Sequence, residues 1–138
     1  MSKKLWLCAP LVSSGLLACG SMLEPRSVGC TGVCKVDVTV IDCMVSVNPY
    51  TLTVPLPRER TKIHWDIVSD DYIFATNGIV ITNPDGEFDT DDLSQNGKKF
   101  KWDDKHTKAG TYKYSVNVVK TGVGPRACPT YDPLIANQ

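Results

Sequence analysis

Apolar and polar residues alternate through most of the chain from residue 36 onward. Val36, Val38 and Val40 are separated by Asp37 and Thr39, and this period of two is typical of a β-strand with one buried face. The same pattern predicts strands at 44–47, 50–54, 62–68, 72–75, 79–82, 99–102 and 111–119. No window has the 3.6-residue apolar repeat of an amphipathic helix. The chain is therefore predicted to be all-β.

Turn-forming pairs of residues separate the predicted strands. They include Asn48-Pro49, Asn77-Gly78, Asn83-Pro84, Asn96-Gly97 and Ala109-Gly110. Proline and glycine allow the backbone conformations that tight turns need. Several short strands joined by close turns are typical of a single antiparallel β-sandwich or a small barrel.

The alternation also predicts which side chains face the core. Ile63 and Trp65 share one face of the strand predicted at 62–68, whereas His64 lies on the other face and is expected to point to solvent. Aromatic residues on inward faces are expected to pack in the core rather than form a sugar-stacking platform. The further residues that this pattern predicts to be buried are Phe100, Trp102, Tyr112, Tyr114, Val116 and Val118.

The first residues have the layout of an export signal. Lys3 and Lys4 precede an apolar stretch that ends at Ala18, and the stretch is too short and interrupted to span a bilayer comfortably. Leu16-Leu17-Ala18-Cys19 resembles the lipobox of bacterial lipoproteins, in which the cysteine is acylated and becomes the new N-terminus. Cleavage near residue 20 or 21 with plain secretion, and an uncleaved anchor, are the alternatives.

This resemblance divides the chain into three parts. Residues 1–18 are predicted to be a signal peptide, residues 19–34 a lipidated N-terminus and tether, and residues 35–138 a β-sandwich domain. By analogy with Gram-negative lipoproteins, Gly20 after Cys19 favours the outer membrane, with the domain facing the periplasm or the cell surface.

Charge and composition limit the partners. The chain has 15 basic and 15 acidic side chains and is 42% hydrophobic, which fits a single globular domain. Removal of residues 1–18 takes away Lys3 and Lys4 and leaves a slight acidic excess. Nucleic acids are bound by concentrated basic faces, so they are not expected partners.

Four of the six cysteines lie after residue 19, at positions 30, 34, 43 and 128. In an oxidising compartment four cysteines predict two disulfides, for which three connectivities exist. We expect Cys43 to pair with Cys128, which ties the early strands to the C-terminal tail, and Cys30 to pair with Cys34. A zinc site at Cys30 and Cys34 is the alternative, but no second ligand pair follows at matching spacing.

Two segments resemble cupredoxins, the small copper-carrying β-sandwiches. Residues 61–70, TKIHWDIVSD, are similar to the strand before the first copper histidine of that family, and residues 110–116, GTYKYSV, to the strand that leads to the copper cysteine. The resemblance implies a cupredoxin-like or immunoglobulin-like Greek key. The ligands are missing, because residues 72–74, Tyr-Ile-Phe, occupy the stretch after Asp70 where the histidine is expected, and Val116 occupies the cysteine position. Copper needs converging imidazoles and a thiolate, so only the architecture is inferred.

An acidic run invites a calcium hypothesis. Asp85, Glu87, Asp89, Asp91 and Asp92 offer the oxygen ligands that hard cations bind. The spacing departs from the EF-hand loop, so these residues are weak calcium candidates. The alternative is a solvated hairpin loop whose charges protect a sheet edge.

His106 lies close in sequence to Asp103 and Asp104, and a histidine beside carboxylates can act as a general base. No Gly-x-Ser-x-Gly turn of a serine hydrolase occurs. Asp103 and Asp104 are not expected to flank one bond as a glycosidase pair, because adjacent residues on a strand face opposite ways. This segment is therefore expected to be a surface loop without catalytic function.

The sequence favours a non-catalytic exported lipoprotein, a binding or interaction module of the cell envelope that needs no cofactor. Tyr50, Tyr72 and Tyr131 lie near predicted turns and are candidates for an exposed contact surface. The expected partners are the membrane, through the lipid anchor, and an envelope protein or a glycan. The alternative function is a metal-binding or electron-transfer protein of the cupredoxin type.

Overall fold

The computed structural model describes residues 27–138, and within this range every regular element is a β-strand. No helix in that range is long and apolar enough to cross a membrane. The strands are β1 Ser27–Gly29, β2 Val33–Ile41, β3 Met44–Asn48, β4 Thr51–Val54, β5 Thr61–Ile67, β6 Tyr72–Ile81, β7 Phe88–Leu93, β8 Lys99–Asp104, β9 Gly110–Lys120, β10 Arg126–Ala127 and β11 Leu134–Asn137. The all-β prediction is confirmed.

The strands form two mixed sheets. One sheet has the order β1-β4-β11-β9-β10, with β6 also pairing with β9, and the other has the order β3-β2-β5-β8-β7. The pairs β1 with β4, β4 with β11 and β2 with β5 are parallel, and the remaining pairs are antiparallel. The expected purely antiparallel arrangement is therefore wrong, because side-chain alternation does not determine which strands become neighbours.

The two sheets face each other through aromatic side chains. Trp65 on β5 packs edge to face against Tyr114 on β9, with ring centroids 5.3 Å apart, and both side chains are buried. Equivalent edge-to-face pairs join Phe74 to Phe100 and Phe88 to Tyr112. Such pairs add directional packing to the burial of apolar area. The inward positions of β5 and β9 are those that the alternation predicts.

Both disulfides join one sheet to the other. Cys30 follows β1 and is bonded to Cys34 on β2, whereas Cys43, in the β2–β3 turn, is bonded to Cys128 after β10. The two bridges lie near opposite ends of β2. This pairing agrees with the expected one.

The ordered sheets begin before the expected domain boundary at Lys35. β1 pairs with β4, and Cys34 is fully buried, so residues 27–34 belong to the folded domain rather than to a tether. β1 is too short for its alternation to be read from the sequence. The predicted signal peptide and the lipidated Cys19 lie outside the described residues.

Candidate functional site

Two of the three tyrosines predicted to form a contact surface lie together. The rings of Tyr50 and Tyr131 pack edge to face with centroids 6.1 Å apart, and the Tyr50 hydroxyl donates a hydrogen bond to the carbonyl oxygen of Asp132 at 3.4 Å. Both side chains are half-buried. They form a small aromatic patch beside β11.

Tyr72 does not belong to this patch. Its side chain is buried, and its hydroxyl oxygen accepts a hydrogen bond from the backbone N–H of Cys43 at 3.2 Å. Tyr72 shares the inward face of β6 with Phe74, so it is a core residue that supports the β2–β3 turn. Its predicted role as an exposed contact residue is wrong.

The acidic run does not converge on one point. Part of it forms strand β7 rather than a hairpin loop, and most of its carboxylates bind separate cationic side chains. Among the described residues, no group of three or more histidine, cysteine, aspartate or glutamate side chains is placed to hold a metal ion. The ion pairs are Asp85 with Lys108, Asp89 with Arg60 and Lys105, and Asp92 with Lys101.

Glu87 differs from its neighbours because it is buried. Its carboxylate accepts hydrogen bonds from the backbone N–H of Thr107, at 2.8 Å, and from the Thr107 hydroxyl. Burial by itself would raise the pKa of Glu87, but the hydrogen bonds from Thr107 hold that pKa below its usual value. Glu87 therefore joins the β6–β7 loop to the β8–β9 loop.

Asp104 and His106 form a second buried polar cluster. Asp104 Oδ1 accepts hydrogen bonds from the backbone N–H of His106, at 2.8 Å, and from the side-chain amide of Asn137, at 3.2 Å. His106 Nε2 lies 2.9 Å from the carbonyl oxygen of Gln138, which can only accept, so Nε2 carries the proton. Burial raises the pKa of Asp104.

The expectation that His106 belongs to a surface loop is therefore wrong. His106 and Asp104 are almost completely inaccessible to solvent, whereas Asp103 faces outward and binds Arg60. The signal for Asp104 was present in the sequence, because Asp104 continues the inward series of Phe100 and Trp102. Side chains this deeply buried have no surface on which a substrate could bind.

A groove of about 320 Å³ opens between β6 and β7. Trp102 is only half-buried there, and its indole N–H donates a hydrogen bond to the carbonyl oxygen of Ile79 at 3.1 Å, which fixes the ring. Trp102 is therefore less buried than predicted. β6 and β7, the strands on either side of the groove, both have interrupted pairing with their neighbours, which leaves the ring partly uncovered. The lining residues are Thr76, Asn77, Ile79, Val80, Ile81, Asp91, Phe100 and Trp102.

Gly78 lies beside this groove in an irregular part of β6, where the pairing with β9 shifts register between Phe74 and Ile79; we call this irregularity the bend of β6. A Cβ atom at Gly78 would lie 2.6 Å from Cβ of Phe74 and 3.0 Å from the ring of Phe100, which is closer than side chains approach one another. β6 therefore needs glycine here. Asn117 supports the same bend, because its side-chain amide donates a hydrogen bond to the carbonyl oxygen of Asn77 at 2.8 Å.

A second surface lies at the end of the domain that carries the Cys43–Cys128 disulfide. We call it the disulfide pole and define it as residues 41–44, 68–71 and 120–128. Three loops meet there through the disulfide, a hydrogen bond from the backbone N–H of Val40 to Ser69 Oγ, and one from Thr121 N–H to the carbonyl oxygen of Asp71. Its exposed apolar side chains are Ile41, Met44, Val68 and Val123.

The two histidines lie apart in the fold. His64 is half-buried on the outward face of β5, where it pairs across the sheet with Lys101, whereas His106 is buried after β8. Val116, which the resemblance to cupredoxins would place at the copper cysteine, is fully buried in β9.

The chain matches no protein-family model and no curated protein.

Proposed function

We propose that this chain is an exported lipoprotein of the cell envelope, acylated at Cys19, whose domain acts by binding a partner without catalysis or a cofactor. The lipobox-like segment that ends at Cys19 supports export and acylation. Two disulfides that join the sheets suit an oxidising compartment. The residue Gly20 favours the outer membrane.

The finer fold is part of the same proposal. We propose that the two sheets form a β-sandwich of cupredoxin-like or immunoglobulin-like Greek-key type, on the resemblance of residues 61–70 and 110–116 to cupredoxin strands. Two facing sheets, with an aromatic core between them, are consistent with this architecture.

A non-catalytic function is supported by the burial of the acid–histidine cluster. Asp104 and His106 have the residue types of a general-base pair, but they are enclosed by Asn137 and the backbone of Gln138. A base that is enclosed in this way cannot reach the proton of a substrate. The cluster is better explained as a structural network.

The observation that carries the binding function is the groove around Trp102. Its floor is apolar, and the indole ring of Trp102 is held by a hydrogen bond. A ring that is already fixed lowers the entropic cost of binding a ligand. Asp91 at its rim forms no ion pair within residues 27–138, so its carboxylate is free for a partner. An apolar ring beside free polar groups suits either a glycan or a segment of an envelope protein.

The test is capture of partners from envelope extracts by the full-length chain. Val80→Arg places a charge in the groove at a side chain that is already 42% exposed, and Val28→Arg places the same charge on β1, where the valine is 46% exposed. The partner retained by wild type and by Val28→Arg should be lost with Val80→Arg. Equal capture by both variants, or stoichiometric copper in the purified protein, would contradict the proposal.

A further inference from the structure

Four apolar side chains of the disulfide pole are exposed to solvent. Met44 is 71% exposed and Val123 is fully exposed, and Ile41 and Val68 are exposed beside them. These apolar side chains belong to three loops that are joined at one end of the domain by the disulfide and by hydrogen bonds. Such surfaces mark contacts with a partner or a lipid surface.

We infer that the disulfide pole faces the bilayer and that its apolar side chains contact the lipid headgroup region. The inference rests on the proposed lipid anchor at Cys19. It assigns an orientation to the anchored domain, with the pole at the membrane and the Trp102 groove on the flank of the domain.

The direction of β1 supports this orientation. β1 runs parallel to β4 and β11, and β11 runs antiparallel to β9. Ser27 is therefore level with Lys113 of β9, and the N-terminal end of β1 points toward the end of β9 at Lys120, which lies at the disulfide pole. From Lys113 to Lys120 the strand rises by roughly 23 Å.

The length of chain between the proposed anchor and β1 matches this distance. The eight steps from Cys19 to Ser27 span at most about 26–29 Å. Cys19 can therefore reach the level of the pole. The opposite end of the domain, beyond Gly110 and Asn137, lies in the direction opposite to that in which the N-terminal end of β1 points.

The charges around the pole indicate which lipids it fits. Acidic and basic side chains are nearly balanced there, so attraction to anionic headgroups is not expected to determine binding. The apolar side chains are expected to provide the contact, as in interfacial segments that insert shallowly. The exposed charged residues of the pole are Asp42, Asp70, Asp71, Lys120 and Arg126.

The experiment is hydroxyl-radical footprinting of the mature lipidated protein, residues 19–138, in phosphatidylcholine vesicles, read by mass spectrometry. The reference is the same mature chain with Cys19→Ser, which lacks the proposed anchor. Modification of Met44 and Val123 should fall at least threefold in vesicles. Modification of Val33 and Leu56, which are similarly exposed at the opposite end of the domain, should not change.

A matched pair of variants tests the contact itself. Val123→Glu adds a charge at the pole and should return the modification of Met44 toward the reference rate, whereas Val33→Glu should leave it protected. Vesicle-bound protein with equal rates at all four sites, or with protection of Val33 and Leu56 instead, would overturn the inference and leave the anchor intact. Protection of Met44 in whole envelopes but not in vesicles would assign the pole to a protein partner and also overturn it. Wild-type protein without acylated Cys19 would overturn the anchor, and the orientation with it.

Discussion

Replacement of Cys43 and Cys128 together by alanine is expected to cause a large loss of stability. The bridge closes a loop with a sequence separation of 85 residues, and removing it restores conformational freedom to the unfolded chain. The chain-entropy relation gives about 4.6 kcal/mol for a loop of this length. This is a large fraction of the stability of a typical small domain.

The second bridge provides the matched control. Cys30 and Cys34 are separated by only 4 residues, for which the same relation gives about 1.9 kcal/mol. Cys43 and Cys128 are both buried, whereas in the second pair Cys34 is buried and Cys30 is only partly buried, so less packing is lost there. Loop length accounts for about 2.7 kcal/mol of the expected difference, and packing adds to it in the same direction.

Urea unfolding at pH 7, followed by tryptophan fluorescence, measures both losses by linear extrapolation. Trp65 lies in the core between the sheets and should report global unfolding. Double replacements are used because a single one would leave a free thiol that can form wrong disulfides. Equal losses in the two double variants, or a greater loss for Cys30 and Cys34, would refute the loop-length argument.

Three further substitutions test the glutamate, the aspartate and the bend of β6. Glu87→Gln should lower the free energy of unfolding by about 1.5–3 kcal/mol at pH 7. Because the Glu87 pKa is lowered, this cost is expected above about pH 4.3 and should disappear as the pH falls through the pKa of the folded state. Chemical unfolding across this pH range measures it. Asp104 has a raised pKa, so its protonated form stabilises the fold below about pH 3.9, and this stabilisation is lost as the pH rises through the pKa of the folded state. Asp104→Asn should remove this pH dependence. If the variant has the same stability–pH curve as wild type, the burial argument is contradicted. Gly78→Ala should cost about 1–3 kcal/mol in urea unfolding, because its Cβ would meet Phe74. Gly29→Ala, whose Cβ would have no neighbour within 4 Å, should be nearly neutral, and equal costs for the two glycines would contradict the steric explanation.

The sequence predicts the faces of the strands better than their neighbours. Trp65 and Tyr114 are buried as the period of two requires, because each strand imposes alternation on its own residues. The opposition of Val36 and Trp65 across a parallel pair depends on the path of the chain between β2 and β5. That path is set by contacts far apart in sequence, which periodicity does not contain.

Charged residues account for two of the differences between the expected and the observed structure. The sequence places Asp104 and Glu87 at the surface, because buried carboxylates are unfavourable unless they are paired. Their partners, Asn137 and Thr107, lie 33 and 20 residues away, so the sequence near each acid does not show that it is satisfied. β7 was missed for the same reason, since its acidic composition obscures the inward-facing Phe88.

At the disulfide pole, a covalent bond stabilises a turn conformation that the local sequence disfavours. The β2–β3 turn has positive φ at both Asp42 and Cys43. Asn-Gly, Asp-Gly and Gly-Gly are the preferred pairs in such turns, so Cys43 is the unusual residue. Cys43 adopts it where its sulfur bonds to Cys128 and its N–H donates to Tyr72. Strain at the turn and exposure of Met44 are thus supported by the same cross-link. Loss of the disulfide should therefore loosen this end of the domain before the core around Trp65. A contact between the pole and the bilayer would then depend on an intact Cys43–Cys128 bond.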